Sequence, residues 1–324
     1  MSKFIGRLAD IGIKKETTRG TAETTATFWL PKMSFSYDDK IEQVVDESSY
    51  GVIEDSIGAS IISKFAEGEF EGKIGDKSIG LLLLSTLGGL STGAPTQTSV
   101  YTHTFSVQQD NQCDSITILQ DDPNQDYKYG LGMIDSFDLD VSLGEFCKVA
   151  CAFRSLVGST ASLTPAYSVE NNFLPQHGTI KYADTLAGLG AGTSVALRSV
   201  KLTISKNLED DRKIGSVAAV DILNKQMSIE GSAELIFDTE TFKTFMLADS
   251  AKALRIELTN TDVTIGASLN PKLTIDLASV KFNEFTRNYG NDDIVTVSLA
   301  FKAFYSIANS QMIAVVLINE QSAY

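Results

Sequence analysis

Cysteine, histidine, tryptophan and proline are all scarce in this chain, with three, two, one and six copies in 324 residues. The cysteines, at 113, 147 and 151, are odd in number and match no metal or redox spacing, so no disulfide framework or structural zinc site follows from them. Cys147 and Cys151 fall on one face of a predicted strand but roughly 13 Å apart along it, too far for a disulfide. They read as small apolar residues in a reduced compartment. His103 sits between Thr102 and Thr104 in a predicted strand, and His177 in a Gly/Ser/Thr-rich stretch. Neither joins a visible nucleophile–base constellation, so nothing supports an enzyme, although spacing alone cannot reveal a triad. The longest strongly apolar run, Ile79–Leu84, is far too short to span a bilayer. The start, Met1-Ser2-Lys3-Phe4, has no apolar signal core, so nothing marks the chain for export. A basic stripe of the kind that displaces counterions from nucleic acid is also missing.

The chain carries net charge −14 and 43% hydrophobic residues, and its length suffices for two ordinary domains. Residues 1–160 hold 23 acids against 13 bases, and residues 161–324 hold 18 against 14. An encounter with DNA is therefore expected to be non-sticky.

The most informative feature is a repeat. Lys64–Leu87 and Lys225–Leu247 each read as an alternating strand running into a short helix. In the first copy Ala66, Gly68, Phe70, Gly72 and Ile74 share one face, and Glu67, Glu69, Glu71 and Lys73 the other. In the second, Met227, Ile229, Gly231, Ala233 and Leu235 oppose Ser228, Glu230, Ser232 and Glu234. Side chains alternate across a strand, so each copy has one dry and one acidic side. The flanking segments recur in the same order at a period of roughly 160 residues, which is a domain duplication and not a short solenoid repeat.

In the first half, Met33–Tyr37 reads as a strand. It is followed by a long segment, Asp38–Ser60, whose only base is Lys40. Asp76 is the expected N-cap of the helix and Gly88 its stop. Residues 88–99 and 121–132 read as loops, Tyr101–Val107 and Ser115–Gln120 as strands. Phe137–Leu143 and Phe146–Phe153 read as a hairpin turning at Gly144-Glu145. The second half places a strand at Val200–Ile204 and a long segment at Lys206–Asn224. Its helix is expected to be capped by Asp238, with Phe242, Phe245 and Met246 as the buried stripe. Ala253–Thr259 and Leu273–Leu277 follow as strands, then a hairpin of Val280–Phe285 and Ile294–Phe304. These patterns predict a mainly β chain with domains at 1–160 and 196–324 and a linker at 161–195.

Three motif-like stretches carry no chemistry. Gly188-Leu189-Gly190-Ala191-Gly192 lacks the preceding strand and following helix of a phosphate-binding turn and reads as a flexible loop. Gly72-Lys73 lacks P-loop spacing. Asp122, Asn124 and Asp126 imitate half a calcium loop, but Tyr127 stands where glycine is needed and Met133 where the bidentate glutamate belongs.

The opening run Gly12-Ile13-Lys14-Lys15-Glu16-Thr17-Thr18-Arg19-Gly20-Thr21-Ala22, followed by Phe28-Trp29-Leu30-Pro31, resembles the start of tail tube (major tail) proteins of bacteriophages with long non-contractile tails. The order strand, long loop, strand, helix, strands resembles theirs too. The resemblance covers nearly the whole chain. It implies a tail-tube-like β-sandwich or barrel domain with one flanking helix, in a virion protein assembled in the bacterial host cytoplasm; most such proteins carry one such domain per chain, and the repeat in this chain departs from that by supplying two in tandem. It also implies stacked rings around a channel that holds a tape-measure protein during assembly and conducts viral DNA at infection. Tail terminator and baseplate proteins would be further partners, with no cofactor, metal or membrane. Because this chain carries two such units, a trimer forming a pseudo-hexameric ring is the simplest arrangement, with a hexamer as the alternative.

On that resemblance, Glu67, Glu69, Glu71, Glu230 and Glu234 are expected to point into the bore, where they would repel phosphates. Glutamates two apart sit about 7 Å from each other, and each such pair costs roughly 0.6 kcal/mol in water. The plain alternative is an ordinary solvated strand face. The basic arm 1–20 (Lys3, Arg7, Lys14, Lys15, Arg19) and the acidic segment (Asp38, Asp39, Glu42, Asp46, Glu47, Glu54, Asp55) have opposite signs. They are expected to meet across rings or between subunits, with ordering on contact. Competing readings are another two-unit β virion protein, in a decoration or terminator role, and a carbohydrate-binding or hydrolytic β protein.

Overall fold

The computed structural model describes residues 3–324, so Met1 and Ser2 of the expected basic arm lie outside the described residues. The first half runs β1 (Asp10–Lys15), β2 (Phe28–Leu30), β3 (Lys32–Asp46), β4 (Gly58–Lys73), helix α1 (Ile79–Leu87), β5 (Gly88–Thr92), β6 (Tyr101–Val107), β7 (Ile116–Asp121), β8 (Asp126–Ser142), β9 (Lys148–Ser155) and β10 (Ser159–Ala161). The second runs β11 (Gly178–Ala183), β12 (Thr193–Val195), β13 (Leu197–Ser205), β14 (Leu208–Asp211), β15 (Asp221–Asn224), β16 (Ser228–Ile236), helix α2 (Thr241–Leu247), β17 (Lys252–Thr259), β18 (Lys272–Asn288), β19 (Thr296–Ala303) and β20 (Ile313–Asn319). The mainly β class, with a short flanking helix in each half, agrees with the sequence expectation.

Each half is a two-layer sandwich hinged on one long strand. The N-terminal part of β8 pairs with β7 and β10, and its C-terminal part with β9. Strand β18 behaves alike, pairing first with β17 and β20 and then with β19. Both carry a register shift at the matching place, skipping Asp135 between Ile134 and Ser136 and Asn283 between Phe282 and Glu284. Such a bulge bends and twists a strand, which lets it pass from one layer to the other. The front layers are β3–β4–β9–β8 and β13–β16–β19–β18. They fuse edge to edge where β13 pairs with β8, from Ser199↔Ser142 to Ser205↔Ser136. The result is one antiparallel front sheet of eight strands.

The apolar faces close on a continuous core. Phe70, Phe137 and Phe153 of the first half and Ile229, Leu254 and Phe301 of the second belong to the same buried cluster. Every residue of α1 is buried, whereas in α2 only Phe242 is, with Phe245 and Met246 packed beside the core. The difference has a cause in the pairing. Strands β5 and β6 continue through β20 into the second half, and the ring of Tyr324 packs edge-on against His103 at 4.8 Å while its hydroxyl donates to Lys77 O at 2.7 Å. Helix α1 thus lies under a roof that α2 lacks.

Several local expectations are corrected. Asp76 does not cap α1. It is buried and accepts from Asn171 N and Nδ2, both at 2.8 Å, while Ser78 takes the cap position and Glu170 accepts from Ser78 N and Oγ. Gly88 does end the helix, with φ +87°. Glu240, not Asp238, precedes α2, and it makes no side-chain cap bond. The stretch 88–99 opens with strand β5, and 121–132 contains the start of β8, whose alternation is masked by the bend at Leu131 (φ +57°).

The expected linker 161–195 is not a tether. Strand β11 pairs with β17 on one side and β12 on the other, as β1 pairs with β7 and β2. The segment therefore repeats the opening of the chain, down to a single 3-10 turn before each first strand (Gly6–Leu8 and Pro175–His177). Its glycine run forms part of a 3-10 helix, Leu186–Ala191, anchored by buried Leu189.

Glycine is required where the acidic strands pass close to the backbone or a ring of the neighbouring strand. A Cβ at Gly68 would meet Ser36 O at 1.8 Å, and one at Gly231 would meet the ring of Phe301 at 2.2 Å. Gly68→Ala is therefore expected to cost about 1–3 kcal/mol by forced overpacking, read as a lower denaturation midpoint. An unchanged midpoint would show that the strand pair shifts without strain.

Candidate functional site: a hydrophilic sheet face with two unpaired edges

The outer face of the front sheet is built by alternation alone. Reading across the strands, it carries Ser36 and Asp38 on β3, Glu67, Glu69 and Glu71 on β4, Ala150, Ala152 and Arg154 on β9, and Asp138 and Asp140 on β8. It continues with Lys201 and Thr203 on β13, Glu230, Ser232 and Glu234 on β16, Ser298, Ala300 and Lys302 on β19, and Thr286 and Asn288 on β18. Each is charged, polar or alanine. The opposite face supplies the core, including Tyr37, Phe70, Phe153, Leu139, Leu202, Ala233 and Leu299.

All five candidate glutamates lie on this hydrophilic face, and several are engaged. Glu67 pairs with Arg154 at 3.2 Å, Glu71 with Lys148 at 3.8 Å, and Glu230 with Lys302 at 2.8 Å. Asp138 and Lys201 approach to 3.6 Å. Among the described residues, Glu69 and Glu234 form no ion pair. Lys73, on the same face, sits 4.0 Å over the ring of Phe146. The Glu67–Arg154 and Glu230–Lys302 pairs occupy equivalent positions of the duplicated sheet, since each glutamate is the residue before the glycine that faces Phe153 or Phe301.

The acidic segment is not a loop. Strands β3 and β4 pair continuously from Lys32↔Gly72 to Asp46↔Gly58, so most of Asp38–Ser60 is a two-stranded ribbon. Ile41, Val44, Val45, Tyr50, Val52 and Ile53 are exposed on it. The sequence pattern obscured this, because neither face of the ribbon meets a core and so no alternation is imposed. The second half answers with the small hairpin of β14 and β15, which leans back on the ribbon. Arg212 pairs with Glu42 at 2.8 Å, and Lys64 N donates to Val217 O at 2.8 Å. Asp39 accepts from Gly158 N, and Asp46 from Ser48 N. Asp38, Glu47, Glu54 and Asp55 are exposed.

The basic arm is also largely structured, and it does not reach the acidic segment. Lys14 pairs with Glu23 at 2.9 Å and Lys15 with Asp114 at 2.7 Å, both from the paired strand β1. Arg19 pins the two halves together. It holds Asp221 through Nε at 2.9 and 3.1 Å, and donates to Cys113 O and Ile222 O at 2.7 Å. Buried Glu16 shapes the turn by accepting from Gly20 N at 2.6 Å, Ser115 Oγ at 2.5 Å and Leu131 N at 2.7 Å. The opening run noted in the sequence is thus a folded clamp, and only Lys3 and Arg7 precede it in exposed backbone. Arg19→Ala, by taking the cation from Asp221 and the donor from the Cys113 and Ile222 carbonyls, is expected to destabilise by about 2–3 kcal/mol. Arg19→Lys is not expected to rescue a forked contact. Denaturant titration of both variants decides this.

The chemically suggestive residues are occupied structurally. His103 is buried between Thr92 Oγ1 (2.9 Å) and Gln321 O (2.8 Å), and His177 faces Asp262 at 3.1 Å. All three cysteines are free and buried, and burial pushes the Cys147 thiol up to about 12. Asp122 and Asp126 accept from backbone amides of Asn124 and Leu163. An open cleft between the halves contains Gln108, Gln112, Cys113 and Asn224, with Lys206 donating to Ser85 O at 2.9 Å. Cys113 lies beside Lys206 in this cleft, and burial holds the Lys206 amine below its ordinary value. Among the described residues no helix is long and apolar enough to cross a membrane.

Burial, reinforced by Asp126, Asp10 and Asp122, raises Asp121 to about 6. A carboxyl whose folded pKa exceeds its unfolded value penalises the fold as pH rises through that interval and fully above it. Asp121→Asn is therefore expected to raise the melting temperature at pH 7 and to give no gain at pH 3. An equal gain at both pH values would point to packing and not to charge.

The described residues form a duplicated, mainly β sandwich whose front sheet turns one polar face outward. Comparison with protein families matches residues 6–303 to the phage tail tube protein family, and the chain belongs to that family. No curated protein matches the chain.

Proposed function

We propose that this virion tail protein self-assembles into stacked rings that form the tube of a long, non-contractile tail. The hydrophilic face of the front sheet lines the bore, and the channel passes DNA at ejection. The observation that supports this best is the front sheet itself. Eight strands present one predominantly polar face backed by core, broken only by alanines and by Ile236 at its margin, and the sheet ends in two unpaired edges. Two tube units per chain, the first ending near residue 160 and the second opening near residue 175, favour a trimeric pseudo-hexameric ring over a hexamer. Copies of the chain would join through the sheet edges, which would also remove the pairing hazard that an open edge carries.

In this reading Glu67, Glu69, Glu71, Glu230 and Glu234 face the channel and leave DNA no phosphate anchor. The exposed ribbon around Glu42, Asp46, Glu47, Glu54 and Asp55 reaches the neighbouring ring or subunit, with Lys3 and Arg7 as the basic side of that contact. Lys14, Lys15 and Arg19 act within the chain. A tape-measure protein occupies the channel before DNA does, terminator and baseplate proteins cap the ends, and assembly takes place in the bacterial cytoplasm.

Purified protein is expected to polymerise with rising concentration into hollow tubes of constant width, seen by negative-stain microscopy. Compact particles, or tubes with a solid apolar centre, would overturn the proposal; closed rings that never elongate would favour a terminator role. In assembled tubes, Glu69→Lys with Glu234→Lys is expected to create salt-sensitive DNA retention that the native tube lacks. Unchanged DNA behaviour in a cosedimentation assay would place the glutamates away from the bore.

A further inference from the structure

The seam inside the chain is a template for the seam between chains. Strand β3 pairs only with β4, and residues 284–288 of β18 pair only with β19. Their counterparts in the duplicated sheet, β13 and the C-terminal part of β8, pair with each other. The ladders fix the equivalence residue by residue. Tyr37 stands opposite Gly68 as Leu202 stands opposite Gly231. Ser136, Asp138 and Asp140 face Ala152, Ala150 and Lys148, as Glu284, Thr286 and Asn288 face Ala300, Ser298 and Thr296.

We infer that β3 of one copy pairs antiparallel with β18 of the next in the register of the internal seam, which places Ser36 opposite Asn288, Asp38 opposite Thr286 and Lys40 opposite Glu284. This rests on the proposed self-assembly and specifies its geometry. The chemistry fits at each position. Lys40 and Glu284 are an opposite-charge cross-strand pair. Asp38 with Thr286 repeats the internal hydrogen bond of Thr203 to Asp138 with the two roles exchanged. At the internal seam the bulged Asp135 accepts Lys206 N through its carbonyl at 2.8 Å and Leu208 N through Oδ1 at 3.1 Å. Asn283 occupies the same bulge and offers the same two acceptors to Ile41 N and Gln43 N of the neighbouring copy. Ser36, Asp38, Lys40, Glu284, Thr286 and Asn288 are all exposed in the isolated chain.

The test is disulfide trapping in assembled protein, for which the three native cysteines are buried. Ser36→Cys with Asn288→Cys is expected to give a ladder of covalent oligomers. Ser36→Cys with Glu284→Cys, about 13 Å out of register, is expected to give none. Lys201→Cys with Asp140→Cys, the equivalent internal pair, should close within one chain. As a second measurement, Lys40→Glu is expected to raise the concentration needed for assembly about fivefold or more, with recovery on adding Glu284→Lys. A ladder at 36/288 and recovery by the charge swap support the register. Tubes that form without that ladder, or with a stronger one at 36/284, overturn the register and leave self-assembly standing. Native protein that forms neither rings nor tubes at any concentration overturns both.

Discussion

The pairing of β13 with the C-terminal part of β8 is the constraint on which the rest of the molecule depends. Its backbone bonds are individually modest, each contributing about 1 kcal/mol net. Its larger effect is on the core beneath. Val200, Leu202 and Ile204 lie directly beside Val141, Leu139 and Phe137, so the apolar faces of both halves form a single buried surface. Neither half can leave without exposing that surface. Arg19–Asp221, Arg154–Asp210 at 2.8 Å and the β6–β20 pairing cross the same boundary. The duplication is therefore one folding unit as well as two structural copies.

Within that unit, the copies have diverged where their surroundings differ. Helix α1 is roofed by strands shared with the second half and is buried along its whole length, with only Ser85 and Thr86 polar. Helix α2 has no such roof, and keeps Lys243 and exposed Leu247 on its outer side. The segment between the first two front-sheet strands of each half has diverged further. In the first it is the long ribbon of β3 and β4; in the second it is the short hairpin of β14 and β15, folded back on its neighbour. What did not diverge is the bulge at Asp135 and Asn283 and the glycines facing Phe153 and Phe301. Those positions set the curvature and close packing of the sheet, and side-chain drift there would alter both.

The parts of the fold legible in the sequence are those where one strand face meets the core and the other meets water. Residues 64–74 and 227–235 are of this kind, and their glutamates lie on the face opposite the core. The illegible parts have other burial patterns. The ribbon has no core on either side. In β8 and β18 the parity of inward residues flips at the bend, so one continuous strand reads as a loop plus a strand, or as two strands. Strand β11, Gly178–Ala183, buries only Ile180 fully and is otherwise half-buried on both faces, so it resembles a linker. The signal that could have found it was order: a three-residue strand and one spacer before β13 repeat Phe28–Leu30 and Pro31 before β3. Asp76 resembles a cap in sequence because capping and burial both use a carboxylate beside a helix start, and only the distant Asn171 distinguishes them.

The charge on the hydrophilic face is arranged more economically than a row of glutamates suggests. Unrelieved, neighbouring carboxylates on one strand would repel and weaken the sheet that carries them. Cations on the adjacent strands relieve that repulsion: Arg154 beside Glu67, Lys148 beside Glu71, Lys201 beside Asp138, Lys302 beside Glu230. The same placement works in the other direction. Each of these four cations already has a carboxylate within 4 Å, so a passing phosphate gains a contact only by displacing it. Meanwhile Glu69 and Glu234 keep the local balance negative. In the proposed tube such a face would be stable as a sheet and still repel a polyanion, because the cations that stabilise it are already paired.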